Sequence, residues 1–349
     1  MPTLPLIILV KQSKAVIHSL NSIPPFFTLQ IAQEKEELFR KAKTGTIPDL
    51  ILHMQSGDNQ AASFYREMKA NSALSTTPIL VLTHENNSRK IEELLDAGAT
   101  DFLPLPLNVT FAKIKLISLL ELSAYRKKLE ILIKEKTAEI QEVQDVTLSS
   151  MANLIEMRDL STGGHIKRTQ VYVRILSQSL KAKSSYSDQL SDDLLELLYR
   201  SAPLHDIGKI QIPDSILAKP ADLTPEERKS MEKHAVFGSV ALGEAAKGLS
   251  RPGFLEIAKI VAESHHENWD GSGYPNGLSG DEIPLVARIM AVSDVYDALT
   301  SDRVYRPAMT HEKAVDIIKS DSGVKFDPII VESFLEKVDA FKRESQAVI

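Results

Sequence analysis

Short apolar runs alternate with amphipathic stretches over the first 120 residues of the chain. Apolar runs of strand length lie at residues 6–10, 49–52, 78–82 and 102–103. Stretches with the spacing of a helix lie at residues 31–43, 61–68, 88–95 and 109–120. This rhythm is typical of a doubly wound α/β domain around a parallel sheet. We therefore predict such a domain over residues 1–120.

Residues 109–158 contain neither proline nor glycine, which predicts one long helix or two nearly continuous ones. Within it, apolar residues recur at heptad positions. One of the two heptad positions that form the seam carries Leu119, Ile133 and Ile140, and the other carries Leu122, Leu129 and Val143. Polar residues interrupt the seam at Arg126, Lys136 and Thr147. Sustained heptads favour a parallel coiled coil over a linker at residues 121–150. The polar interruptions leave open an amphipathic helix that lies on its own domain.

From about residue 150 the pattern is helical almost throughout, which predicts an all-α domain over residues 151–349. Predicted helices lie at residues 148–159, 165–182, 191–203, 224–246, 254–264, 284–300, 311–319 and 327–336. Thr224, Pro225 and Glu227 supply a hydroxyl cap, a proline for the first turn and an acid near the positive end of the helix dipole. Residues 268–282 hold four glycines and a proline, so we predict a loop there.

Composition narrows the classes of function. The 349 residues are 43% apolar, enough for two ordinary cores. A net charge of −6 argues against a nucleic-acid polymer, which would be bound through many Lys and Arg contacts. The chain has no cysteine, so thiolate chemistry and disulfides are excluded. The apolar run at Leu6–Val10 is too short to span a bilayer and follows no basic region, so we predict no membrane insertion and a cytoplasmic location.

Candidate metal ligands concentrate in the second half of the chain. His205 and Asp206 are adjacent, and His234, the doublet His265 and His266, and Asp294 follow. Divalent transition metals prefer such mixtures of imidazole and carboxylate, and two ions about 3.5–4 Å apart form a common centre for phosphoester hydrolysis. An isolated His-Asp pair is usually a structural hydrogen-bonded pair, but the additional ligands favour a metal site. A charge at Asp294, amid a predicted apolar helix, also requires a partner or a ligand role.

These residues belong to a longer pattern. The run from His265 to Leu278, HHENWDGSGYPNGL, resembles the motif of the HD-GYP family, bacterial hydrolases of the second messenger cyclic di-GMP. The resemblance continues through residues 204–209, 212–214, 219–220, 223–224, 234, 283–284, 288–289, 294–303, 305–306 and 326–328. It covers about residues 150–340, and it implies metal-dependent phosphodiesterase activity.

The resemblance also implies roles for individual residues. Two divalent ions, iron first and manganese as the alternative, would be held by His165, His205, Asp206, His234, His265, His266 and Asp294. Asp206 would bridge the ions and, with Lys209 and Tyr274, would be catalytic. The substrate would be bound by Lys209, Tyr274, Arg303 and Arg306. Some family members bind a third ion through a glutamate four residues before the His165 position. Because this chain has Ser161 there, we expect two ions.

The first domain resembles a response-regulator receiver at residues 48–52, 77–83 and 97–104. The chemistry of phosphotransfer is nevertheless missing. Lys11 and Gln12 stand where an acidic pair should hold magnesium. The position of the phosphoacceptor aspartate falls on Met54 or, with a slip of one residue, on His53. Leu105 replaces the lysine that would balance the phosphoryl charge. Only Thr83 remains of the switch residues. We predict a pseudo-receiver that serves dimerisation or protein docking, with a purely structural domain as the alternative.

The sequence therefore predicts a cyclic di-GMP phosphodiesterase controlled through a degenerate receiver. Three alternatives stay open at this stage. The first is another HD-superfamily phosphohydrolase, which should lack the loop that contains Tyr274 and Pro275. The second is a hydrolase of another cyclic dinucleotide, which would keep this loop. The third is a silent binding protein, which would recruit partners without turnover. The acids Asp297 and Asp302 are expected to hold helix ends or orient Arg303 rather than bind metal.

Overall fold

The computed structural model describes residues 4–11, 13–23, 26–55, 61–85, 87–158, 164–182, 185–250, 253–302 and 307–347. The chain divides into two compact units, Met1–Ala138 and Glu139–Ile349. The first is a doubly wound α/β unit and the second is helical, so the predicted fold class is confirmed. Among the helices of these ranges, none combines the length and the apolar character that a membrane span requires.

The first unit is built on five parallel strands. They are β1 (Leu6–Val10), β2 (Thr28–Ala32), β3 (Leu50–Met54), β4 (Ile79–Thr83) and β5 (Asp101–Pro104). Their order in the sheet is β2-β1-β3-β4-β5, the order of flavodoxin-like and receiver domains. The sequence prediction missed β2 and placed a helix from residue 31. This strand lies at the sheet edge, where Thr28 and Gln30 are not buried, so it lacks a continuous apolar run.

Helices cover both faces of the sheet. They are α1 (Lys14–Asn21), α2 (Lys35–Lys43), α3 (Ala61–Ala70), α4 (Ser88–Asp96) and α5 (Val109–Arg158). Successive strand residues point to opposite faces, so Ile8 and Ile51 pack beneath α2 and α3 whereas Ile7 and Leu50 pack beneath α1 and the start of α5. A parallel sheet covered on both faces needs apolar residues at nearly every central strand position, which explains why the strands were recognisable in the sequence.

The predicted phosphoacceptor region is apolar in the structure. Met54 and Leu105, which stand where a receiver has its aspartate and lysine, both pack against the cluster beneath α1 and α5. His53 points to the other face, where its Nδ1 lies 2.7 Å from the hydroxyl of the buried Tyr65. The Thr83 hydroxyl donates to Gln55 at 2.8 Å. These side chains hold neither a carboxylate acceptor nor its balancing cation.

Helix α5 continues over 50 residues without a break, as the absence of proline and glycine predicted. The first heptad residue of the predicted seam, Leu119, is buried in the core of the α/β unit. Arg126, one of the interruptions, donates to the Thr76 carbonyl at 2.9 Å. The exposed part of the predicted seam therefore begins after Leu119.

The second unit contains nine further helices in the described ranges. They are α6 (His165–Lys181), α7 (Asp192–Ser201), α8 (Asp214–Leu217), α9 (Pro225–Lys247), α10 (Phe254–Ser264), α11 (Leu285–Thr300), α12 (His311–Ser320), α13 (Pro328–Leu335) and α14 (Val338–Ala347). Helix α11 is buried on nearly all sides. Around it the rings of Tyr172, Tyr296, Phe334 and Phe341 pack together, with Tyr172 and Phe341 stacked at 4.7 Å. This aromatic cluster fixes the position of α11 against α6.

Candidate metal centre

His205 and Asp206 lie between two short 3-10 turns, Ala202–Leu204 and Ile207–Gln211, that follow α7. Regular α-helical geometry would turn neighbouring side chains about 100° apart, so the break in the helix lets both face one cavity. His205 is fully buried, and its Nδ1 donates to the Ala202 carbonyl at 2.8 Å. The Nε2 atom of His205 is therefore left for the cavity.

Two further histidines are held in the same way. His234 on α9 donates from Nδ1 to the Met231 carbonyl at 2.8 Å. His265, directly after the end of α10, donates from Nδ1 to the Val261 carbonyl at 2.9 Å. A backbone carbonyl that fixes Nδ1–H leaves an Nε2 lone pair for a metal, the usual arrangement of histidine ligands. The end of α10 at Ser264 also lets His266 turn toward the same place, as predicted.

The two oxygens of Asp206 serve two groups of imidazoles. Oδ1 lies 3.2 Å from His234 Nε2 and 3.8 Å from His265 Nε2, while Oδ2 lies 3.3 Å from His205 Nε2. The candidate ligand atoms of Asp206, His234, His265 and His266 all lie within 4.8 Å of one another. The same is true of the ligand atoms of Asp206, His165 and His205. Asp294 Oδ1 lies 3.6 Å from His165 Nε2 and 3.7 Å from His205 Nε2. All seven residues predicted as ligands are therefore brought together.

Three buried atoms of this cluster lack a hydrogen-bond partner within the described part of the chain. They are Asp206 Oδ1, His234 Nε2 and His265 Nε2. Buried polar atoms are almost always paired, because desolvation without compensation is unfavourable. Ligation of cations would pair all three at once, and imidazole with carboxylate is a donor set that iron, zinc and manganese accept. The residues present therefore fit a centre of divalent metal ions.

His165 is oriented by a residue to which the sequence assigned another role. Its Nδ1 lies 2.8 Å from Asp297 Oδ2, and the Arg168 guanidinium donates to both oxygens of Asp297 at 2.6 and 3.0 Å. Asp297 thus contacts His165 and Arg168, and its expected contact with Arg303 falls outside the described residues. Asp302 Oδ1 accepts from the Ala308 backbone at 2.8 Å.

Arg303 and Arg306, predicted to bind substrate, lie outside the described residues. Lys209, the other predicted cation, places Nζ 2.8 Å from Asp206 Oδ2.

The electrostatics of the cluster favour an ionised carboxylate among neutral and charged imidazoles. Burial opposes the charge of Asp206, but Lys209 and His205 hold the pKa of this carboxyl well below its usual value. Burial also opposes a charge on His205, yet Asp206 and Asp294 raise its pKa to about 9. Burial and the neighbouring imidazoles lower the pKa of His266 well below its usual value. Without a metal ion, a pKa of about 9 favours a protonated His205 ring near neutral pH.

The glycine-rich loop after α10 places Tyr274 beside the cluster. The Tyr274 ring lies 4.8 Å from the His266 ring, and its backbone N–H donates to the His266 carbonyl at 3.2 Å. A Cβ at Gly273 would lie 2.3 Å from the Asn268 backbone nitrogen, so this tight return of the chain requires glycine. Burial raises the pKa of the Tyr274 hydroxyl, which therefore stays protonated as a donor.

A cavity of about 760 Å³ opens onto these groups. Sequence reasoning missed Glu156, which lines the cavity from α5 with Oε1 3.9 Å from His165 Nε2. Burial raises the pKa of this carboxyl. No sequence signal marked Glu156, because it sits within an unbroken helical pattern. The cavity wall also includes Arg228 and Glu232 of α9.

The second unit gathers imidazoles and carboxylates around one shared aspartate at the base of this cavity, an arrangement suited to hold divalent metal ions. This unit is also the part of the chain that matches a known family. The family model described as "HD domain" matches residues 149–330, more than half of the chain. The chain belongs to the HD domain family.

Three relatives add detail. The chain is 40% identical over 295 residues to a probable cyclic di-GMP phosphodiesterase of Vibrio cholerae, covering 82% of this chain and 66% of that protein. It is 51% identical over 203 residues to a cyclic di-GMP phosphodiesterase of the same organism, covering 58% and 41%. It is 31% identical over 325 residues to the cyclic di-GMP phosphodiesterase response regulator RpfG of Xanthomonas campestris, covering 91% and 82%. The chain thus spans less than two thirds of the first two relatives.

Proposed function

We propose that the protein hydrolyses a phosphodiester bond of cyclic di-GMP at a centre of two divalent metal ions. The observation that carries this proposal is the shared position of Asp206, whose two oxygens face two separate groups of imidazoles. A carboxylate in that position is suited to bridge two ions. The three relatives described as cyclic di-GMP phosphodiesterases support the choice of substrate.

In this proposal the ions are held by the seven residues of the cluster. One group would use His234, His265 and His266, the other His165, His205 and Asp294, with Asp206 common to both. When bound, the pair of ions lowers the pKa of the attacking water and neutralises charge at the phosphate. Imidazole suits iron and carboxylate also suits manganese, so we propose iron first and manganese as the alternative.

Lys209 and Tyr274 act on the substrate directly. Both line the cavity beside Asp206. Lys209 Nζ supplies a cation for a phosphate oxygen once the ions take over the charge of Asp206. The Tyr274 hydroxyl, kept protonated by burial, donates to a phosphate or leaving oxygen. Substrate binding by Arg303 and Arg306 stays a prediction from the sequence.

We also propose how the chain is organised for regulation. Residues 1–120 form a receiver-like domain that docks a protein partner, residues 121–150 form a linker, and residues 151–349 form the phosphodiesterase domain. Two chains would pair in parallel through the seam of α5. This proposal is supported by exposed seam residues, which are 56–61% accessible in the single chain: Leu122, Leu129, Ile133, Ile140 and Val143.

The test is an assay of cyclic di-GMP hydrolysis on anaerobically purified protein, with the metal content measured on the same sample. We expect hydrolysis by the wild type and loss of both metal and activity in Asp206→Ala. Asp188→Ala, which removes an exposed carboxylate from the same unit, is the matched control and should change neither. Full activity of Asp206→Ala would refute the assignment. Binding of cyclic di-GMP without turnover would instead favour a silent binding protein.

A further inference from the structure

The first half of α9 forms one wall of the substrate cavity. Arg228, Met231 and Glu232 line it, and their spacing of three and four residues places them on one face of the helix. Glu232 is half-buried. Within the described residues, neither Arg228 nor Glu232 has an ion-pair partner within 4.0 Å, although they are four residues apart on the same helix.

Polar contacts join the start of this wall to the preceding loop. The Glu227 carboxylate lies 2.6 Å from Lys219 Nζ and accepts from the Thr224 backbone at 2.8 Å, which ties the preceding loop to the start of α9. Thr224 caps the helix in return. Ile216 and Leu223 also line the cavity with apolar side chains. The same part of the chain contributes the charged residues Lys219, Asp222 and Arg228 to the wall.

Glu232 adds a carboxylate to a cavity that must accept phosphates and whose wall also includes Glu156, Asp222 and Asp302. It repels anions unless it faces hydrogen-bond donors of the ligand. Among purines, guanine offers two adjacent donors on one edge, the ring N1–H and the exocyclic amino group. Adenine offers a single amino donor beside a ring nitrogen lone pair, which a carboxylate oxygen would repel. The chemistry of Glu232 therefore matches guanine and opposes adenine.

We infer that Glu232 is a specificity-determining residue that reads the N1–H and amino edge of a guanine base packed against Met231 and Leu223. This inference rests on the proposed function and names the feature of the cavity that selects a guanine dinucleotide. Glu232 lines the same cavity as Lys209 and Tyr274, which are proposed to contact a phosphate of the substrate. A nucleotide bound at those two residues therefore lies in the cavity that Glu232 lines.

The experiment compares wild type with Glu232→Gln by calorimetric titration of the metal-loaded protein with non-hydrolysable phosphorothioate analogues of cyclic di-GMP and of cyclic di-AMP. We expect the Kd for cyclic di-GMP to rise roughly 10- to 100-fold, the usual range for losing a hydrogen bond to a charged group. The Kd for cyclic di-AMP should stay or fall, because an amide accepts from the adenine amino group and donates to the ring nitrogen. In turnover assays the loss should appear in KM rather than in kcat.

Glu244→Gln is the matched control, since Glu244 lies on the same helix but pairs with Lys247 at 2.6 Å and does not line the cavity. It should leave both Kd values unchanged. Equal weakening of both dinucleotides in Glu232→Gln, or no change in either, would overturn the role of Glu232 while hydrolysis by the wild type still supports the proposed function. Guanine-selective binding that Glu232→Gln removes, in a protein without hydrolytic activity, would support Glu232 and refute the activity. A wild type that binds neither dinucleotide would overturn both.

Discussion

Asp206 Oδ1 lies 3.2 Å from His234 Nε2, and the two atoms face each other without a hydrogen bond of acceptable geometry in the described part of the chain. Because His234 donates from Nδ1 to the Met231 carbonyl, its Nε2 atom is the one that faces the carboxylate oxygen. A cation between a ring nitrogen and a carboxylate oxygen attracts both. Binding of a divalent ion should therefore stabilise this arrangement.

The first prediction concerns the coupling of metal to stability. Saturating divalent metal should raise the Tm of the wild type, since a ligand at 100 times its Kd adds about 2.7 kcal/mol to the free energy of unfolding. Asp206→Asn should lose this metal-dependent gain, because the amide is a poor ligand and donates to the His234 lone pair instead. Differential scanning calorimetry with and without a chelator measures both. An equal metal-dependent gain in the variant would contradict the bridging role of Asp206.

The second prediction concerns pH. Asp206 and Asp294 overcome the effect of burial and raise the His205 pKa to about 9, so this ring is protonated at pH 7 in the metal-free protein. A metal ion that binds His205 must displace that proton. The apparent metal affinity should therefore rise about tenfold per pH unit toward pH 9 and level off above it.

The raised pKa of His205 also affects the stability of the metal-free protein. A raised histidine pKa contributes stability that is present below the unfolded value of about 6.5 and is lost as the pH rises through about 9. The Tm of the metal-free protein should decline over this window, and that of the metal-loaded protein should not. Titrations in buffers of different ionisation enthalpy count the released protons, and a pH-independent affinity would refute the assignment of His205 as a ligand.

The third prediction tests the packing that positions His234. A Cβ at Gly208 would lie 1.9 Å from the His234 carbonyl oxygen and 2.5 Å from the Gly238 nitrogen, so Gly208→Ala must displace α9. We expect a loss of about 1–3 kcal/mol or more in the free energy of unfolding, together with weaker metal binding. Gly248→Ala is the control, because its added Cβ would meet only the Ala245 carbonyl at 3.6 Å. Chemical denaturation of both variants measures the difference.

The fourth prediction concerns the receiver-like domain. Acetyl phosphate with magnesium should produce no phosphoryl mass increment on this domain, because Met54 and Leu105 pack into an apolar cluster and His53 is buried against Tyr65. Met54→Asp alone should also fail, since Lys11 stands where the magnesium-binding acids would be. Intact mass spectrometry checks both, with a phosphorylatable receiver treated in parallel. A stable increment that maps to this domain would contradict the prediction.

The fifth prediction tests the coiled coil. The double variant Ile133→Glu with Ile140→Glu should weaken self-association at least about 100-fold, because each change places charge in the predicted seam. Sedimentation equilibrium should find a wild-type dimer and a monomeric variant at the same concentration. Glu135→Gln with Glu142→Gln alters helix positions off the seam and should remain dimeric. A monomeric wild type at high concentration would exclude the proposed pairing.

Much of this protein was determined by local sequence features. The central strands, the unbroken helix α5 and the break after α10 follow from apolar runs, the absence of proline and glycine, and the glycines that follow His266. The set of ligands was recognisable because His205, Asp206 and the doublet at 265 lie within a motif of high specificity. Edge strand β2 was missed, because a half-exposed strand lacks the continuous apolar run of its neighbours.

Other features were decided only by tertiary structure. The periodicity of apolar residues indicates which face of a helix is buried. It does not indicate which side chains of other helices contact that face. Asp297 orients His165, from which it is separated by 132 positions in the sequence. Glu156 of α5 and Glu232 of α9 both line the cavity beside the candidate metal centre. Such partners are set by the packing of α6, α9 and α11 around a common core, which depends on long-range contacts. The candidate metal ligands thus lie at positions that local sequence features mark, whereas the orientation of their side chains arises from the folded arrangement.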